Sequence, residues 1–132
     1  IGDVAPNDRQ KHLYQTAYDH VMTNIGLIEA GMSFADMTRV SHRLPEMFRP
    51  LRYGVLAHGV GLCDEYPSVR YPEDVDAHGY GGCFEVGMTL CVEAYIGAVG
   101  GHDGVKLEEQ VLITDSGAVP LSTYRYEGAF LD

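Results

Sequence analysis

Met88-Thr89-Leu90-Cys91-Val92-Glu93-Ala94-Tyr95 alternates, with Met88, Leu90, Val92 and Ala94 on one side and Thr89, Cys91, Glu93 and Tyr95 on the other. A period of two is the signature of a strand with one face in a core. Val105 to Thr114 reads as its partner, since Leu107, Val111 and Ile113 continue the apolar side. Gly100-Gly101 is the natural turn centre between them. A hairpin pivoting there sets Glu93 directly opposite Glu108. Opposite residues on antiparallel strands hold their Cβ atoms about 5 Å apart. Two carboxylates that close repel, and an acid in an apolar strand is costly unless its charge is compensated. A cation between them is one compensation.

Upstream of the hairpin, Ala57-His58-Gly59-Val60-Gly61-Leu62-Cys63-Asp64-Glu65-Tyr66-Pro67 puts one imidazole, two carboxylates and two glycines into a few residues. Glycine lets a backbone pass close to its neighbours. His58, Glu93 and Glu108 together offer one nitrogen and two carboxylates from separate elements. That mixture suits Fe, Mn, Zn or Co better than Ca or Mg. Two bridging carboxylates favour a pair of ions, yet three ligands cannot hold two, so further ligands must come from elsewhere. On spacing alone, a metal site and scattered structural polar residues stand as equal alternatives.

The remaining chain frames these residues. Asp8 to Ala30 reads as one long helix, with a start signal at Pro6-Asn7, an apolar stripe of Leu13, Ala17, Val21, Ile25 and Ile28, and a stop at Gly31. His12 and His20 on it read as surface or hydrogen-bonded histidines. Ser33-Phe34-Ala35-Asp36 resembles a capping box, so a second helix is expected to about Leu44, before Pro45 breaks it. Arg39, Arg43, Arg49 and Arg52 read as a solvated face. Tyr53 to Ala57 is an extended entry to His58. Residues 66–86, rich in Pro and Gly and holding an exposed His78, read as one long loop. Asp115-Ser116-Gly117 is a turn, Val119-Pro120-Leu121 a short edge strand, and Thr123 to Asp132 a tail packed on the body.

The 132 residues are 45% hydrophobic and carry a net charge of −10. With pI near 4.8 and mean hydropathy −0.10, this is a soluble, globular composition. The acidity argues against nucleic acid as a partner. No apolar run approaches the roughly 20 residues of a membrane helix. Cys63, Cys83 and Cys91 form no Cys-x-x-Cys pair, which fits a reducing compartment and a cytoplasmic location. Each is expected to be a small buried hydrophobe. Ile1-Gly2-Asp3 looks like the end of a strand cut in the middle, so a fragment of a longer polypeptide is expected.

The order His-Gly-x-Gly, Gly-Met-Thr-Leu-x-x-Glu and Lys-Leu-Glu-Glu-x-Val-Leu-Ile-Thr is similar to the second half of the creatinase/methionine aminopeptidase, or pita-bread, fold. The resemblance runs from the first helix to Gly117. It implies an α+β architecture in which two helices pack on a curved antiparallel sheet. Residues 1–132 would be the C-terminal portion of the catalytic domain. It also implies that His58, Glu93 and Glu108 are metal ligands, completed by three carboxylate positions on preceding strands that this chain lacks. Peptidases of the superfamily, including Xaa-Pro aminopeptidases and prolidases, place a second histidine after the first. Here Cys63-Asp64-Glu65-Tyr66-Pro67 fills that stretch. An ionised carboxylate cannot donate a proton to an oxyanion, but it can act as a base.

Tyr53-Gly54-x-Leu56-x-His58-Gly59-Val60-Gly61-Leu62-Cys63-Asp64-Glu65 and Gly87-Met88-Thr89-Leu90-Cys91-Val92-Glu93-Ala94 resemble dimethylsulfoniopropionate (DMSP) lyases of the DddP type. That resemblance implies β-elimination of dimethyl sulfide from DMSP. Asp64 would be the catalytic base and Tyr53 would lie at the substrate. It implies two divalent transition-metal ions, Fe first, with Mn, Zn, Co or Ni as the other choices, and a homodimer. An aspartate is a weak base for a carbon acid unaided, so a Lewis acid on the substrate carboxylate is part of the logic. Glu65 and Glu109, close to these residues in sequence, read as supporting or solvated carboxylates. The competing expectations are an Xaa-Pro metallopeptidase and a non-enzymatic pita-bread binding module.

Overall fold

In the computed structural model, which describes residues 4–79 and 81–131, five antiparallel strands form one sheet under a long helix. The N-terminal strand end expected at Ile1-Gly2-Asp3 lies outside the described residues, as does Asp132. Helix α1 spans Asp8–Leu27. Asn7 caps it: the Asn7 side chain accepts from the Gln10 backbone, and the Gln10 side chain accepts from the Asn7 backbone. α1 ends three residues short of Ala30, because Ile28 turns extended and buries itself in the core.

Helix α2 covers Phe34–Val40 and is capped by the Ser33 hydroxyl, which accepts from Asp36 N. It stops short of Leu44 because a distant partner intervenes. Asn24 Oδ1 on α1 accepts from His42 N at 2.9 Å, taking a donor that a longer helix would have used. A 3-10 turn at Glu46–Leu51 follows, with Pro50 inside it.

Strand β1 is Val55–Gly59, β2 is Ser68–Arg70, β3 is Thr89–Gly97, β4 is Gly104–Thr114 and β5 is Gly117–Pro120. Their order is β2-β1-β3-β4-β5. β3 and β4 pair in the expected register, Glu93 opposite Glu108, from Thr89↔Leu112 to Gly97↔Gly104. The connection between them carries Gly100 at φ +72°. β1 joins on the other side of β3, with His58 opposite Cys91. The expected loop of residues 66–86 is corrected: it holds β2, which pairs with β1, and a four-residue helix α3, Val75–His78. A three-residue edge strand between two prolines has too few residues to show a period.

The alternation now has its physical meaning. Leu90, Val92, Ala94, Ile96, Val111 and Ile113 are buried with Leu13, Ala17, Val21 and Ile25 of α1 in one core. Their hydrophobic burial fixes the register, since a one-residue slip would turn every side chain over. The opposite face of the hairpin carries Cys91, Glu93, Lys106 and Glu108. The C-terminal tail docks on α1 through two rings, Phe130 stacking on Tyr14 at 4.8 Å and Tyr126 meeting Tyr18 edge-on at 4.9 Å, while residues 123–125 and 127–129 stay exposed.

Three further expectations are corrected. Cys63 and Cys83 are exposed and Cys91 is half-buried, so none is a buried hydrophobe. Arg52 is not solvated: its guanidinium lies 4.6 Å over the Tyr71 ring and 2.7 Å from Asp74 Oδ2. Glu109 does not join Glu108, because the next residue along a strand points to the other face. It is buried and accepts from Tyr126 OH at 3.5 Å.

Candidate metal centre

His58, Glu93 and Glu108 converge. His58 Nε2 lies 3.6 Å from Glu93 Oε1 and 3.5 Å from Glu108 Oε1. Each residue is placed by its strand. β1 and β4 flank β3, and the pleat sends all three side chains to the face away from α1. Glu93 is fully buried, whereas the Glu108 side chain is 31% exposed.

The tautomer of His58 follows from its other nitrogen. Nδ1 is 2.9 Å from the carbonyl of Gly59, an atom that can only accept, so Nδ1 carries the hydrogen. With Nδ1 committed to that carbonyl, Nε2 is the nitrogen turned to the two carboxylate oxygens. Those distances exceed the 2.7–3.2 Å range of N–H···O hydrogen bonds, so a proton at Nε2 would not bond well to either. Nε2 and both Glu93 oxygens are buried without a hydrogen-bond partner. Buried acceptors that face one another need a cation. Ligand atoms around a tetrahedral ion with bonds near 2.1 Å sit about 3.4 Å apart, close to the observed spacing. The donor set fits a transition-metal ion.

One cation is already at hand. Lys106 Nζ lies 3.0 Å from Glu93 Oε2 and 2.9 Å from Glu108 Oε2. The contact with Glu93 is an ion pair by distance although not a hydrogen bond by angle. Each glutamate therefore turns one oxygen to Lys106 and the other to His58. Desolvation raises the Glu93 carboxyl above its ordinary range, although the Lys106 charge opposes that. Burial pushes Glu108 the same way, but the Cys91 thiol and Lys106 outweigh it and the net shift is downward. The pair is split by environment, with Glu93 the harder to ionise.

Cys91 is the residue that sequence reasoning missed here. His58, Cys91 and Glu108 each offer a ligand atom, all within 4.8 Å of one another. The signal was present, since Cys91 has the same strand parity as Glu93. Burial, and after it donation to Glu108, pushes its thiol up to about 12.

The remaining predicted residues flank the cluster. Tyr53 N donates to Tyr95 O, and Tyr53 OH donates to Glu65 Oε2 at 2.9 Å. That bond, with burial behind it, raises the phenol above its usual range. Glu65 is thus a hydrogen-bond partner of Tyr53. Asp64 is exposed in the turn after β1, at φ 54°, and takes no part in the ion-pair cluster. Gly59 fixes how this turn returns. Its N donates to Pro67 O at 2.6 Å, and a Cβ there would collide with the Tyr66 carbonyl and sit 2.7 Å from Pro67 Cδ. Only glycine fits that approach.

This α+β arrangement is the pita-bread fold, and the chain belongs to metallopeptidase family M24, whose model matches residues 1–115. The fold agrees with solved structures at low sequence identity. The Xaa-Pro dipeptidase of Bacillus anthracis superposes with TM-score 0.72 at 20% identity, over 96% of this chain and 34% of that one. The X-Pro aminopeptidase of Thermotoga maritima does so with TM-score 0.69 at 19% identity, over 95% and 34%.

Among curated proteins, the chain is 44% identical over 131 residues to dimethylsulfoniopropionate lyase DddP of Roseovarius nubinhibens. It is 40% identical, also over 131 residues, to the enzyme of the same name from Roseobacter denitrificans. Either match covers 99% of this chain and 29% of the relative's length. Xaa-Pro dipeptidase of Pyrococcus furiosus is 28% identical over 127 residues, 89% of this chain and 32% of that protein.

Proposed function

We propose that this chain is the C-terminal portion of the catalytic domain of a metal-dependent DMSP lyase. The observation that carries the reading is the meeting of His58, Glu93 and Glu108 on one face, in a chain 44% identical to a DddP lyase along nearly its whole length. The three residues would hold divalent transition-metal ions, two in the complete site, with Fe preferred over Mn, Zn, Co or Ni. When bound, the metal supplies positive charge that holds a carboxylate and acidifies the C–H beside it.

The chain's own residues supply the rest. Asp64 takes the proton from the carbon next to the DMSP carboxylate. The electron pair forms the carbon–carbon double bond as the β-carbon–sulfur bond breaks. Dimethyl sulfide and acrylate leave, and the proton remains on Asp64 before passing to water. Tyr53 lies at the substrate, its ring a favourable face for the sulfonium. The Glu65 bond to its hydroxyl fixes that ring beside the turn that carries Asp64. A homodimer in the cytoplasm is part of the same proposal.

Headspace dimethyl sulfide from the full-length, metal-supplied protein tests the reading. Release that disappears in Asp64→Ala supports it; no release with metal bound refutes it. The likeness to Xaa-Pro dipeptidase supports a second reading, a peptidase for Xaa-Pro bonds. Hydrolysis of a proline dipeptide without DMSP cleavage would select it. The replacement of the second histidine by Asp64 weighs against that outcome.

A further inference from the structure

Lys106 and Glu108 share strand parity, so their side chains leave β4 on one face. Lys106 is the diagonal neighbour of Glu93 across the hairpin, a separation that a long side chain spans. The result is an ammonium 3.0 Å from one candidate ligand and 2.9 Å from the other. Those same carboxylates turn their second oxygens to His58. Two acids placed in register, one of them fully buried, would repel in a metal-free protein. Lys106 removes that repulsion without any bound ion.

We propose that Lys106 is a tethered cation that holds one oxygen of each carboxylate in the metal-free protein and must leave before metal ions can use all four carboxylate oxygens. The inference rests on the metal-site reading of His58, Glu93 and Glu108. Lys106 has somewhere to go: its side chain is 47% exposed, and it borders a cleft of about 350 Å³ beside Tyr124, Arg125 and Tyr126. A site whose competent form is only fractionally populated binds with its intrinsic affinity reduced by that fraction. If Lys106 is seated nine-tenths of the time, its removal tightens binding about tenfold. The device sets a threshold, so that the site loads only above a certain free-metal level.

The test is calorimetric titration of the chelator-stripped full-length protein with Mn2+, for wild type, Lys106→Met and Lys106→Arg. Lys106→Met is expected to bind Mn2+ about tenfold more tightly. Its metal-free form is expected to melt about 3 °C lower, while the metal-saturated melting temperature stays at the wild-type value. Lys106→Arg, which keeps the charge, is expected to follow wild type in both readouts. Equal Mn2+ affinity in wild type and Lys106→Met overturns the inference and leaves the metal site standing. Tighter binding with no loss of metal-free stability also overturns it, because a mere rim charge would do that. Absence of Mn2+ binding in every variant overturns the metal-site reading, and the inference with it.

Discussion

Two histidines are buried among the described residues, and their surroundings differ in one respect. His20, on α1, is wholly enclosed and every ring nitrogen is used. Its Nε2 is 3.1 Å from Asn24 Nδ2 and 2.9 Å from Tyr71 OH, and its Nδ1 is 3.1 Å from His42 Nδ1. The amide nitrogen can only donate, so Nε2 accepts and Nδ1–H points to His42. His58 is nearly as buried, yet its Nε2 meets acceptors and finds no donor. A satisfied buried imidazole holds a fold together. An unsatisfied one, facing two carboxylates, is a place for a cation. Burial alone does not separate structure from function; the pairing of polar atoms does.

The largest effect should come from breaking the satisfied side. His20→Ala leaves a cavity and strips partners from Asn24 and Tyr71. It should cost about 3–4 kcal/mol in urea unfolding while Mn2+ affinity stays at the wild-type value. His58→Ala should do the reverse. Loss of a ligand nitrogen should weaken Mn2+ binding about a hundredfold or more, about 2.7 kcal/mol. Metal-free stability should fall by less than in His20→Ala, about 1–2 kcal/mol, since Nε2 had no partner and only the Nδ1–H bond to the Gly59 carbonyl is lost. If the two variants exchanged phenotypes, the distinction between the histidines would be wrong.

Acid should sharpen the contrast. Burial, with the His42 charge behind it, lowers His20 from 6.5 to about 3. The unfolded chain therefore binds a proton that the folded one refuses between those values. Stability from the neutral ring is fully present above pH 6.5 and is lost as pH falls toward 3. Between pH 7 and pH 5 the loss should be about 2 kcal/mol. A His20→Gln variant should lack this share of the slope, which paired urea titrations at the two pH values would measure.

How much of this was legible beforehand divides along the same line. The β3–β4 hairpin was, because alternation with a core on one face fixes both strand and register. Parity likewise put Glu93 and Glu108 on one side, but it left a metal site and scattered polar residues as equal alternatives, and His58 joined them as a ligand only through the family resemblance. What stayed hidden depends on contacts far apart in the chain. The early end of α2 needs Asn24 to reach His42, and β2 exists only because β1 is there to pair with it. Lys106 had the parity of Glu108, but its charge gains meaning only when Glu93 is seen across the strand. The place of Asp64 is set by the turn itself, where Gly59 and Pro67 close on each other. No period encodes that.

The smallest effect tests where the candidate centre ends. Cys91 stands within ligand distance of His58 and Glu108, which makes it a rival for inclusion. A thiol must lose its proton to bind a metal well. Cys91 is held protonated by burial and by its bond to Glu108, which keeps its thiol near 12. It should keep that donor role, orienting Glu108, beside an ion such as Mn2+, which prefers carboxylate oxygen to sulfur. Zinc favours thiolate far more than manganese does, so the ratio of the two affinities reports on sulfur ligation. Cys91→Ala should leave the Zn2+ to Mn2+ affinity ratio within about threefold of wild type, and stability within about 1 kcal/mol. A selective loss of Zn2+ binding would make Cys91 a ligand. The centre would then be one of sulfur, nitrogen and oxygen, and His58 would owe its unpaired nitrogen to a softer metal than the lyase reading assigns.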